Sequence, residues 1–322
     1  MANVVFTLTA TDEAGHQTTQ QVSLTVNRDV PTARFYGDPG PGRLYVGASA
    51  PAAATLSALE TSGGGKKLGV RVKFENTPSA SEAAAINAEL QTGRLPWWSY
   101  KPDGGYQGLA GSSTKQATVR SQIRSLMNAL VTTTGPVFLT FNHEPENDGG
   151  GTDAQLIADW AKMQQIAVEE RNASGATKVT VVANLQSFTF LGSGQGRDWQ
   201  GWLAAAAVCD IVGVNRYRQE NTSESDALAG PEFVGVLDRL DTVGKPMAFR
   251  ELGIDRRLGT TVWANNWNAM INLVKTRNVV AISYFDSDPA SEPDNTWVMD
   301  PASVTLYNGL RAQAWSVNWN AL

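Results

Sequence analysis

Residues 137–185 read VFLTFNHEPENDGGGTDAQLIADWAKMQQIAVEERNASGATKVTVVANL. An apolar, β-branched run over 137–144 gives way to a polar Gly-rich loop, then to an amphipathic stretch over 153–171. A second β-branched run follows over 178–185. Strand, helix and strand in that order place the two strands parallel, because the helix between them carries the chain back to the same end of the sheet. The alternation continues on both sides. Further strand candidates are LYVGAS (44–49), LGVRVKF (68–74), PWWSY (96–100), DIVGVNRY (210–217), PMAFRELG (246–253) and VAISYFD (280–286). Helical stretches are expected over 81–91, 116–131, 153–171, 198–207, 231–242, 261–277 and 301–313. Eight strands alternating with helices point to an α/β fold, a closed (β/α)8 TIM barrel of roughly 250 residues. A doubly wound nucleotide-binding sheet would need a glycine-rich phosphate loop after its first strand, and none follows LYVGAS.

Ahead of the barrel, residues 4–26, VVFTLTATDEAGHQTTQQVSLTV, alternate apolar and polar positions on either side of DEAGH. That pattern predicts a β-hairpin. It resembles the last two strands of a bacterial immunoglobulin-like repeat, so residues 1–30 are read as a remnant of such a domain and 31–322 as the barrel. Pro31, Pro39 and Pro41 make the link extended and non-helical.

The net charge of −5 and pI near 5.2 argue against nucleic acid or an anionic membrane as partner, since both require a basic surface. No apolar run approaches the length of a transmembrane helix, and the N-terminus lacks a secretory profile. Cys209 is the single cysteine, which excludes a disulfide framework within the chain. There are two histidines, His16 and His143, so a His-rich metal site is excluded. Asp286, Asp288 and Asp294 lack EF-hand spacing and read as a solvated loop. No metal or cofactor is expected. The ten tryptophans include several in polar, Gly-rich company, among them Trp97, Trp98, Trp199, Trp202 and Trp297. Flat rings in such places suit sugar stacking, although most tryptophans of any protein belong to its core.

Barrel enzymes place their reacting groups at the C-terminal ends of the strands. Here strand four ends in Asn142-His143-Glu144-Pro145-Glu146, strand six in Asn215-Arg216-Tyr217 and strand seven in Arg250-Glu251. Two carboxylates meeting at one mouth are what glycosidic bond cleavage requires, one to protonate the leaving oxygen and one to attack or stabilise the anomeric carbon. Pro145 ends the strand and puts Glu146 on the loop, which favours Glu144 over Glu146 as the acid. Strand alternation turns Arg250 away from the mouth. Arg71 either reaches the floor of the site or lies on the outside of the barrel.

The stretches VFLTFNHEPEN and PMAFRELGID resemble the strand-four and strand-seven motifs of glycoside hydrolase family 26, the clan A family of β-mannanases and related endoglycanases. A His directly before the strand-four Glu distinguishes that family within its clan. The resemblance implies Glu144 as acid/base, Glu251 as nucleophile, His143 as a residue that positions sugar or carboxylate, and Tyr217 as the tyrosine that touches the nucleophile. Pro145 and Glu146 depart from the Met-Asn-Gly that often follows. Trp97 and Trp98 are expected as a sugar platform, one facing the mouth and the other the helices, with Phe285 or Tyr284 beneath the reacting sugar and Trp297 extending that floor.

The expected function is that of a monomeric, retaining, endo-acting glycoside hydrolase on a β-linked polysaccharide such as mannan, with xylan, mixed-linkage glucan or a microbial surface glycan as alternatives. A barrel that only binds glycan is the rival in another class, and exo-acting or transglycosylating action depends on the loops. The polymeric substrate and the hairpin's likeness suggest a secreted, extracellular setting.

Overall fold

A computed structural model describes residues 2–26, 35–49, 53–149, 151–191, 197–220, 227–286 and 297–321. The chain divides into two units, Met1–Arg34 and Phe35–Leu322. In the first, β1 (Ala2–Thr11) and β2 (Gln17–Val26) pair antiparallel, Thr11 opposite Gln17. The Asp12 carboxylate closes the turn by accepting from the backbone N–H groups of Ala14 and His16 at 3.0 and 2.8 Å.

The second unit is a closed barrel of parallel strands. They are β3 (Tyr45–Ala48), β4 (Val70–Glu75), β5 (Leu95–Tyr100), β6 (Val137–Phe141), β7 (Val179–Gln186), β8 (Ile211–Arg218), β9 (Met247–Ile254) and β10 (Val279–Tyr284), and β10 closes the ring on β3. Around them run α1 (Ala53–Ser62), α2 (Glu82–Gln91), α3 (Ser113–Leu130), α4 (Asp153–Ser174), α5 (Trp199–Ala206), α6 (Pro231–Asp241), α7 (Gly259–Lys275) and α8 (Pro301–Arg311). No helix among the described residues is long and apolar enough to cross a membrane.

Helix α4 shows how the sequence sets its limits. Thr152 and Gln155 form a reciprocal capping box at its start, and Gly175, at φ 71°, ends it in the left-handed region that glycine enters without steric cost. The sequence does not predict α1, because AATLSALETS lacks a strong apolar stripe. It is held by Leu56 and Leu59, both buried.

Period-two alternation divides the core into two layers. Inward-facing Tyr45, Val70, Val72, Trp97, Phe138 and Val182 fill the barrel, while outward-facing residues such as Trp98, Leu139 and Leu185 pack under the helices. Two strands break the rule: β10 carries an extra residue between Val279 and Ala281 relative to β9, and β9 carries one nearer its end. Along β10, β9 advances from Phe249 to Leu252 while its neighbour advances from Ile282 to Tyr284. Along β8, it advances from Ala248 to Leu252 while its neighbour advances only from Gly213 to Arg216. One extra residue therefore sits in β9 between Phe249 and Leu252, a β-bulge at the strand end that faces the site.

Candidate active site

Strand β6 ends in a sharp turn. Asn142 and Glu144 lie at φ 55° and 52°, the two non-glycine residues with positive φ among those described. Such conformations cost on the order of 1–3 kcal/mol each and persist only where the surroundings fix them. Here they do. Asn142 donates its N–H to the Tyr100 carbonyl at 2.8 Å and its side-chain amide to Asp148 at 2.6 Å, and its own carbonyl accepts from the Trp160 indole at 3.0 Å. Glu144 donates its N–H to the Asn184 carbonyl at 3.0 Å, and the Tyr106 hydroxyl donates to the Pro145 carbonyl at 2.7 Å. These bonds aim the Glu144 carboxylate across the barrel mouth toward β8. There it accepts from the Asn215 side chain and, at 3.1 Å, from Asn147. Asn215 is itself oriented by the Asn184 amide at 3.0 Å.

Glu251 enters from the opposite side on β9, nearly buried at 4% exposure. Its Oε2 accepts from the Tyr217 hydroxyl at 2.5 Å and its Oε1 from Arg250 at 2.8 Å. Burial pushes the Glu251 carboxyl above the usual range. Arg250 counters this, the charge of Glu144 adds to it, and Tyr217 and Asn215 counter it through hydrogen bonds to the ionised form. Tyr217 favours the anion without outweighing burial. Burial and the negative charge of Glu251 hold the Tyr217 phenol well above its normal range, so it remains a donor.

The structure brings His143, Glu144, Tyr217, Glu251, Phe285 and Trp297 around one mouth. The His143 Nδ1 pairs with the Ser99 hydroxyl at 2.8 Å, and burial, with Arg250 and Lys101 nearby, pushes this imidazole well below its usual pKa. It is neutral near pH 7. The Trp297 ring lies 4.8 Å from that of Tyr217, and Phe285 meets Tyr217 edge-on at 5.9 Å. Gly253 lies beneath this cluster. A Cβ there would come within 2.4 Å of the Tyr217 ring and 2.9 Å of Trp297, so the glycine of Glu251-Leu252-Gly253 makes room for the tyrosine that holds the carboxylate.

Other expectations are corrected. Trp97 points into the barrel as expected, but it is completely buried below the mouth, its indole donating to Thr140 at 2.9 Å. Trp98 is buried among the helices, with Lys73 4.5 Å from its ring centre. Neither offers a face to sugar. Tyr284 is buried with Trp263, Trp267 and Tyr307 in the helix layer, leaving Phe285 at the site. Arg71 lies outside the barrel paired with Glu89, in a network where Arg94 binds Glu89 at 2.8 Å and Glu60 at 2.7 Å. Arg216 reaches toward Glu232 and Phe233 on α6. Glu146 is buried under the β7 loop, accepting from the Gln186 N–H at 2.7 Å and the Thr189 hydroxyl at 2.8 Å. Trp199 lies under the guanidinium of Arg239, and Trp202 is buried against Trp160. Asp288 and Asp294 lie outside the described residues.

Two residues of the site were not anticipated. Arg250, expected to face away, is fully buried beside Glu251, because the bulge in β9 turns consecutive side chains toward the same mouth. Phe74, at the end of β4, lies 4.1 Å over the Arg250 guanidinium, meets His143 and Phe285 edge-on, and remains 41% exposed. Val70 and Val72 face inward, so period-two counting along β4 gives Phe74 the same direction, and that was the signal for it.

With this geometry in place, the comparison with solved structures is informative. A Bacteroides ovatus family 26 β-mannanase superposes with a TM-score of 0.63 over 88% of this chain and 92% of its own, at 12% identity. The barrel has the fold of the family 26 β-mannanases. A Bacillus subtilis mannanase matches with a TM-score of 0.61 over 88% of this chain and 90% of its own, at 15% identity. The likeness extends to a fungal β-1,4-galactanase, TM-score 0.62 over 83% and 99% of the two chains at 11% identity. No family model and no curated protein matches the sequence.

Proposed function

We propose that the protein is a retaining endo-glycoside hydrolase acting on a β-linked polysaccharide, with mannan the first candidate. The observation that carries this reading is the convergence of Glu144 and Glu251 from β6 and β9, the fourth and seventh barrel strands, in different surroundings. Glu144 is half-exposed and held by amides, whereas Glu251 is buried and held by a cation and a phenol. Glycosidic cleavage by double displacement needs two carboxylates at one mouth, one as acid and base and one as nucleophile. Glu251 attacks the anomeric carbon as the bond to the leaving oxygen breaks, and Glu144 delivers a proton to that oxygen. Glu144 then takes a proton from water, which attacks the same carbon and frees Glu251. Each displacement inverts the anomeric carbon, and two inversions in succession retain its configuration. Neutral His143 is placed to accept or donate a single hydrogen bond without adding charge. The exposed face of Phe74, with Phe285 and Trp297, offers stacking surface of the kind the two buried tryptophans do not. The named substrates of the similar barrels support mannan and leave galactan open; an extracellular setting suits a polymer that cannot enter a cell.

The test is a panel of mannan, galactan, xylan, mixed-linkage glucan and bacterial wall glycans incubated with purified protein, with reducing ends and first-formed anomers measured. Retention of configuration with internal cleavage is expected on one of them. Glu251→Ala is expected to abolish product while binding persists. Binding without product from the unaltered protein would replace this reading with that of a glycan-binding barrel.

A further inference from the structure

We propose that Arg250 is a positioning residue for Glu251, its guanidinium locking the carboxylate in the attacking orientation and supplying the charge that keeps it an anion. For its catalytic meaning the proposal rests on the hydrolase reading above. Its basis is how this arginine is held. Two other buried arginines, Arg94 and Arg311, each satisfy several donors. Arg94 binds Glu60 through two nitrogens at 2.7 Å and Glu89 at 2.8 Å, and Arg311 bonds the Leu59 and Lys66 carbonyls and Asn308. Arg250 is fully buried yet directs one bond at Glu251, and its Nε and second terminal nitrogen have no partner among the described residues. A guanidinium carries five N–H donors, and leaving most of them dry and unpaired is unfavourable. Stability would be served as well by an apolar side chain at this place. What the arginine provides is the contact with Glu251.

The surroundings strengthen that contact. Phe74 covers the guanidinium at 4.1 Å and shields it from water, so its attraction for the carboxylate is little screened. The charged and titratable groups facing Arg250 are Glu251, Glu144, Tyr217 and His143. Among the described residues it is the one cation in direct contact with the carboxylate of Glu251, which shares the mouth with a second carboxylate. The bulge makes this possible, because a regular strand would put residues 250 and 251 on opposite faces.

The experiment is a 13C-carboxyl NMR titration of Glu251 in the unaltered protein, Arg250→Met and Arg250→Lys, beside the pH profile of kcat/KM on the cleaved polysaccharide. Arg250→Met is expected to raise the Glu251 midpoint by about one pH unit or more. The acidic limb of kcat/KM should move with it, and Arg250→Lys should recover at least half of the shift. A variant with unaltered circular dichroism and an unmoved Glu251 midpoint overturns the proposal. If Arg250→Met does not fold, Arg250→Gln takes its place with the same expectation. The titration needs no turnover, so a protein that cleaves nothing in the panel would refute the hydrolase reading while the NMR midpoint still decides the role of Arg250.

Discussion

Glu146→Gln is expected to leave sugar release in place while changing how stability depends on pH. Burial raises the Glu146 carboxyl from the usual 4.5 to about 7, against the opposing hydrogen bonds of the Gln186 N–H and the Thr189 hydroxyl. Its second oxygen has no partner among the described residues. An acid whose folded pKa exceeds its unfolded value supports the fold in its protonated form. That support is complete below the unfolded pKa and is lost as pH rises through the folded one. With the shift from 4.5 to about 7, full titration costs on the order of 3 kcal/mol, of which about 2.5 kcal/mol falls between pH 5 and pH 8. Glutamine keeps the accepting oxygen and cannot ionise. The variant should therefore match the unaltered protein near pH 5 and exceed it at pH 8 by about 2.5 kcal/mol, roughly 5 °C in melting temperature. Urea and thermal unfolding at the two pH values measure this directly. Parallel pH dependence in both proteins would show that Glu146 does not titrate between them and would refute the reasoning. Loss of sugar release in this variant would return Glu146 to candidacy as the acid.

Gly253→Ala should displace Tyr217, since the added methyl would lie 2.4 Å from its ring. Overpacking of this kind costs about 1–3 kcal/mol, and kcat is expected to fall more than binding, a split that steady-state kinetics resolves. Arg71→Met should lower stability by about 1–2 kcal/mol through the loss of its bond to Glu89. It should leave kcat and KM unchanged; a change in KM would bring Arg71 back to the site. The acidic limb of kcat/KM should fall above the ordinary carboxylate range, because Glu251 must be ionised to attack and its pKa is raised. Activity therefore climbs with pH through that limb, and a limb at or below the usual carboxylate value would contradict it.

The barrel was legible because most strands carry their own apolar or β-branched run and alternate with helical stretches. VFLTFNHE and KVTVVANL needed no neighbour to be recognised. Helix α1 was not, since its short, alanine-rich segment owes its conformation to the burial of Leu56 and Leu59 and not to a pattern of its own. At the site, Glu144, Glu251 and Tyr217 could be placed from their positions at strand ends. Arg250 could not, because alternation is a rule of regular strands and a bulge leaves no mark in composition. The tryptophans misled for another reason. PWWSY is bounded by polar loops, yet Trp97 fills the taper inside the barrel and Trp98 the gap beneath α2, and depth along a strand is not written in its periodicity. Phe74, the last residue of LGVRVKF, belongs to no motif that marks it.

The extra residue in β9 also bears on how the mouth responds to thermal breathing. Arg250 and Glu251 are neighbours on one backbone, so a rocking of that strand carries anion and counter-ion together and their separation is preserved. Glu144 rides on the far wall and shares no such tether. When the wall segments drift apart, the span between proton donor and attacking group varies more than the separation of the attacking oxygen from its counter-ion.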